Sequence, residues 1–208
     1  MLTPEQIRIF EAFLRKPYQA RTYKEIKMHA KKKSNSIIQN AIAKFLAEGL
    51  IRKESVGNNL LYRLNLENES VFSYSDILIN EKLSPIIKTT LQIIKREIGE
   101  IAFVSIVIFG SYVDGKQTEK SDLDLALFVS TKKDKRICEL AMKSVELRSV
   151  LSIDAHVITK GEMLKMLKDK RENLGKQIVH KHLATYNPAI FYSIVQEGVN
   201  HGFKVIYA

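Results

Sequence analysis

An apolar run from Val104 to Phe109 breaks at Gly110-Ser111. After a short loop the chain reads Ser121-Asp122-Leu123-Asp124-Leu125. Side chains along a strand alternate faces, so Asp122 and Asp124 point the same way, a few ångströms apart. Two like charges on one face repel each other, and a strand tolerates them when a cation sits between. Hard divalent ions bind through one or two carboxylates together with substrate phosphates. A Gly-Ser turn at the end of the preceding strand offers close backbone approach and a hydroxyl for those phosphates. Two neighbouring strands, joined by a turn and carrying both elements, are the strongest constraint in the sequence.

The pattern reads as a metal-dependent nucleotidyl-transfer site. Gly110-Ser111, Gly115 and Ser121-Asp122-Leu123-Asp124 resemble the GS…G…SDxDh motif of the polymerase-beta-like nucleotidyltransferase superfamily, especially its minimal members. In that family a third carboxylate lies on a later strand, and Asp154 in Ser152-Ile153-Asp154-Ala155-His156-Val157-Ile158 matches it. The resemblance covers roughly residues 85 to 159, under half the chain.

It implies a catalytic set of Asp122, Asp124 and Asp154 holding Mg²⁺ (or Mn²⁺), with Asp154 also able to take a proton. Gly110 and Ser111 would bind the nucleotide. The implied reaction moves a nucleoside monophosphate from an NTP to a hydroxyl of an acceptor. Minimal relatives modify small molecules, proteins or tRNA, and some are antitoxins. Many relatives place a basic residue shortly after Gly-Ser, whereas this chain has Tyr112-Val113-Asp114. Lys116 or Lys120 would have to supply that charge.

The charge distribution divides the chain. Residues 1–66 hold 13 Lys/Arg against 5 Asp/Glu, and residues 67–208 hold 20 against 18, so the net charge of +10 is mostly N-terminal. A basic N-terminal part is expected where a chain meets a polyanion. Cys138 is the only cysteine, which excludes an internal disulfide and a multi-cysteine metal site. No apolar run approaches the roughly 20 residues that span a bilayer. The first residues lack a secretory pattern, so a cytoplasmic protein with no membrane partner is expected.

Thr3-Pro4-Glu5-Gln6 and Thr22-Tyr23-Lys24-Glu25 are helix starts, and Ser34-Asn35-Ser36 precedes a third helix ending at Gly49. A hairpin follows, turning at Gly57-Asn58-Asn59. Three helices and a two-stranded wing resemble the winged helix-turn-helix, with the third helix reading DNA. The residues placed at double-stranded DNA are Lys31, Lys32, Lys33, Ser34, Asn35, Ser36, Gln39, Asn40 and Lys44. Dimerisation or protein docking is the other use of such a domain.

The expected organisation is therefore α+β. A winged helix domain (1–66) leads through a linker (67–83) to a nucleotidyltransferase domain (84–208) with a mixed sheet flanked by helices. Beyond the third acid, helices are expected at about 162–170, 174–184 and 188–199. His180 and His182 read as solvated helix residues. Tyr186, Phe191 and Tyr192 read as core or as the lining of a base pocket. A homodimer is left open. The rival reading is a DNA-binding transcriptional regulator or antitoxin whose second domain only senses a nucleotide or a partner.

Overall fold

The structure, a computed structural model, describes residues 1–30, 34–99, 101–113, 115–118 and 121–205. The chain divides into two compact units, with the boundary between Glu81 and Lys82.

In the first unit, α1 (Pro4–Leu14) and α2 (Tyr23–His29) both begin with capping boxes, Thr3 with Gln6 and Thr22 with Glu25. Each box satisfies amide groups that a helix start leaves free. A two-residue strand β1 (Arg21–Thr22) precedes α2, and α3 (Asn35–Ala47) starts at Ser34, whose hydroxyl accepts from the Ile37 amide. Strands β2 (Ile51–Val56) and β3 (Asn59–Leu64) form the hairpin, and β1 joins it in the antiparallel order β1-β3-β2. Ile9, Phe10, Phe13, Ile26, Ile38, Phe45 and Leu50 fill the core, with Phe10 edge-on to Phe45 at 5.1 Å.

The stretch 67–83 is not a free linker. It carries helix α4 (Ser70–Lys82), whose Val71 and Tyr74 belong to the first unit's core. Polar residues at its start misled the composition reading because they are used for docking. The Asn65 and Asn68 side-chain amides donate to the Gly49 and Glu48 carbonyls at 2.8 and 2.9 Å, and the Tyr74 hydroxyl accepts from the Leu2 amide at 3.0 Å.

The second unit runs α5 (Pro85–Glu97), β4 (Val104–Phe109), a single 3-10 turn (Gly110–Val113), β5 (Leu123–Val129), α6 (Lys132–Glu146) and β6 (Ile153–Thr159). It continues with α7 (Lys160–Lys168), α8 (Leu174–His180), β7 (His182–Tyr186) and α9 (Pro188–Asn200). The four strands lie in the order β6-β5-β4-β7; β5 and β6 are parallel, and the other pairs are antiparallel. Every residue of β4 is buried, as expected for a central strand covered on both faces.

Strand β7 replaces the end of the helix expected over 174–184. The helix stops at His180, and β7 pairs with β4 through a register shift at Ile106/Val107. Side chains hold that irregular edge. Thr185 donates to the Ile106 carbonyl (3.1 Å), Asn187 to the Val104 carbonyl (3.0 Å) and Ser105 to the Tyr186 carbonyl (2.9 Å). Asn187 itself takes a left-handed conformation, φ +44°, before Pro188 opens α9.

Candidate active site

The antiparallel pairing of β4 with β5 brings the end of the first strand beside the start of the second, since Ile108 lies opposite Leu125. Gly110 follows with φ +70°, in the left-handed region that favours glycine. A Cβ at Gly110 would stand 1.9 Å from Oδ2 of Asp124, so the turn and this carboxylate share space that only glycine leaves open. The Ser111 backbone N–H donates to Asp124 and fixes it there. The Tyr112 hydroxyl donates to the Ser121 carbonyl at 3.2 Å, tying the turn to the residue just before Asp122.

The parallel pairing of β5 with β6 sets Asp154 directly opposite Asp124. Asp122, just before β5, is near enough for its charge to act on Asp124. The crowding is visible in the chemistry of Asp124. Its carboxyl is held above the usual carboxylate range, first by burial and then by the negative charges of Asp154 and Asp122. His156 and the Ser111 amide act in the opposite direction. Asp122 and Asp154 are exposed, whereas Gly110, Ser111 and Asp124 are half-buried.

His156 is the residue that spacing alone did not single out. It lies on the same face of β6 as Asp154, with Nε2 at 3.4 Å from Asp154 Oδ2 and its ring 6.0 Å from that of Phe109. The period-two rule puts it on the face that carries Asp154.

Asp114 and Lys120 lie outside the described residues, as do Lys31, Lys32 and Lys33. Lys116 is exposed, on the loop that follows the turn. The remaining residues expected at DNA are in the first unit. Ser34, Asn35, Ser36, Gln39, Asn40 and Lys44 are all exposed on or beside α3, and Lys44 pairs with Glu48 at 3.1 Å.

Among the described residues, no three of His, Cys, Asp and Glu converge into a ready-made metal cage. A hard ion that keeps several waters and takes phosphate oxygens needs only one or two carboxylates. The donor set is all oxygen at Asp122, Asp124 and Asp154, and a cation there would relieve the repulsion that raises Asp124. The residues present therefore fit a divalent ion completed by substrate.

With this geometry in place, the second unit can be compared with known families. Residues 88–182 match the family model described as Polymerase beta, Nucleotidyltransferase. The match runs from within α5 to the first residue of β7 and includes Gly110, Ser111 and all three aspartates. The second unit thus contains a stretch similar to polymerase-beta-type nucleotidyltransferase domains, in a mixed sheet with flanking helices. The first unit lies outside the match. No curated protein and no solved structure matches the chain. Among the described residues no helix is long and apolar enough to cross a membrane.

One expectation about the tail is corrected. His182 is not a solvated helix residue but a strand residue packed against Phe191 and Tyr192, with ring centroids 4.7 and 5.5 Å away. Its Nδ1 lies 3.0 Å from the Ile178 carbonyl and 3.1 Å from that of Val179, and Nε2 lies 3.1 Å from the Tyr192 hydroxyl. A neutral ring protonated at Nδ1 donates to the carbonyls and accepts from Tyr192. Burial pushes its pKa down to about 4. Phe191 and Tyr192 are core, while Tyr186 is half-buried beneath Lys95, whose Nζ is 4.7 Å from the ring centroid.

Proposed function

We propose that the chain transfers a nucleoside monophosphate from an NTP to an acceptor hydroxyl, with Mg²⁺ or Mn²⁺ held by Asp122, Asp124 and Asp154. The observation that carries this reading is Asp124. It is wedged against Gly110, where no side chain fits, and is charged against two further carboxylates. A strand gains nothing structurally from such an arrangement. When bound, a divalent ion would neutralise triphosphate charge and polarise the attacking hydroxyl.

The protein's own groups do the rest. The Gly110-Ser111 turn presents the Ser111 hydroxyl to phosphate oxygens, while the Ser111 N–H holds Asp124 beside them. Asp154, exposed at the sheet edge, accepts the proton of the attacking hydroxyl. The new bond forms between acceptor oxygen and α-phosphorus, the bond to the bridging oxygen breaks, and pyrophosphate leaves. His156 holds Asp154 at 3.4 Å and so orients it.

The first unit supports a companion role at double-stranded DNA. Its helices, hairpin and exposed Asn35, Ser36, Gln39 and Asn40 suit a winged helix that reads base edges from α3. Such binding weakens steeply with salt. A protein or tRNA acceptor for the transferase unit is the other macromolecular partner this reading admits.

The test is transfer of label from each α-labelled NTP, with Mg²⁺ or Mn²⁺ and cell lysate as a source of acceptor. Metal-dependent labelling that Asp122→Asn/Asp124→Asn reduces at least about a hundredfold is the expected result. NTP binding with no transfer under any condition would overturn it in favour of a nucleotide-sensing regulator.

A further inference from the structure

The loop between the Gly110-Ser111 turn and β5 is tied down at two places. The Lys116 backbone N–H donates to the Ser111 carbonyl at 3.2 Å, and Gly115, at φ +66°, turns the chain just before it. Further on, the Ser121 hydroxyl accepts from the Thr118 N–H at 2.9 Å, and the Ser121 N–H donates to the Thr118 carbonyl at 3.0 Å. The Tyr112 hydroxyl closes the span on the Ser121 carbonyl. Ser121 directly precedes Asp122. Lys116 therefore leaves the backbone beside Ser111, on a loop fastened to the strand that carries the carboxylates.

We infer that Lys116 binds the terminal phosphates of the nucleoside triphosphate donor, an inference that rests on the transferase reading above. Among the described residues of the turn, the loop and the start of β5, Lys116 is the sole basic side chain, and it stands against Asp122 and Asp124. It is exposed, with no ion-pair partner among the described residues. The positive group that bears on Asp124 is His156, so the Lys116 charge does not neutralise that carboxylate. A triphosphate entering beside three acids meets repulsion, which a divalent ion held by the same acids offsets only in part. An ammonium on a flexible stem is a point charge that turns onto the nearest phosphate oxygen and donates a charge-assisted hydrogen bond. The bond from the Lys116 N–H to the Ser111 carbonyl keeps the two backbones together, so the ammonium and the Ser111 hydroxyl reach one anion from adjoining positions.

The experiment is isothermal titration calorimetry of the full chain with Mg²⁺ and each non-hydrolysable NTP analogue. Lys116→Gln is expected to weaken the analogue that the native chain binds best at least about tenfold, with an unchanged circular dichroism spectrum. Lys116→Arg, which keeps the charge, should stay within about threefold of the native affinity. Raising salt from about 50 to about 300 mM should weaken the native chain more than the Gln variant. A Gln variant that binds as tightly as the native chain overturns the inference. So does an Arg variant as weak as the Gln variant, because the loss would then come from the loop and not from the charge. A native chain that binds no analogue overturns the transferase reading and this inference together, whereas native binding that Lys116→Gln leaves untouched overturns the inference alone.

Discussion

Asp124 concentrates the account in one side chain. An acid whose pKa is higher folded than unfolded keeps its proton longer in the folded state. Stability therefore falls as pH rises through the carboxylate range, and the penalty is complete above it. Without metal, Asp124→Asn should accordingly be more stable than the native protein at about pH 7, and urea melts should show the gap closing towards about pH 3. Gly110→Ala tests the same contact from the other side. Its Cβ would collide with Asp124 Oδ2 at 1.9 Å, in a backbone region that costs alanine about 1 kcal/mol. The expected result is a folded protein with displaced carboxylate and NTP affinity reduced at least about tenfold, read by calorimetry.

His182 carries the opposite sign. Its folded pKa, down at about 4, lies below the ordinary histidine value. Stability present at neutral pH is lost as pH falls from about 6.5 towards 4, by no more than about 3 kcal/mol. His182→Asn should lower stability at neutral pH and flatten that slope in denaturant melts. Alternation placed Asp122 and Asp124 on one face, whereas Asp154 was reached only through the family resemblance. The burial of His182 was not readable in sequence, because it depends on a helix-to-strand switch at Lys181 that no local pattern marks.

Among the elements, the helices with side-chain caps were legible to within a few residues. Thr3 and Thr22 make their capping boxes as the spacing requires. The elements that were missed depend on contacts distant in sequence. Strand β7 exists by pairing with β4, some eighty residues earlier, and by the Thr185, Asn187 and Ser105 bonds across the bulge. Helix α4 has little amphipathic signal of its own and is defined by docking through Asn68 and Tyr74. Tyr74→Phe, which leaves the buried Leu2 amide without its acceptor, should destabilise the first unit by about 1–2 kcal/mol in a urea melt. An unchanged midpoint would show that α4 does not depend on that bond.

At the scale of the whole molecule, the uneven charge seen in the sequence does not follow the two units, because residues 67–81 add four acids and no Lys/Arg to the first unit. One has three helices ahead of its hairpin and α4 after it, and the other carries the family match. The boundary fell later than composition suggested because α4 belongs to the first unit. The transferase reading rests on a cation joining the strand carboxylates to a triphosphate. Mn²⁺ binding followed by electron paramagnetic resonance, with and without a non-hydrolysable NTP analogue, tests that most directly. The account predicts that the analogue tightens Mn²⁺ binding at least about tenfold in the native protein, and that Asp122→Asn/Asp124→Asn abolishes the effect while the fold survives. Mn²⁺ binding that ignores the analogue, or that persists unchanged in the double variant, would contradict it.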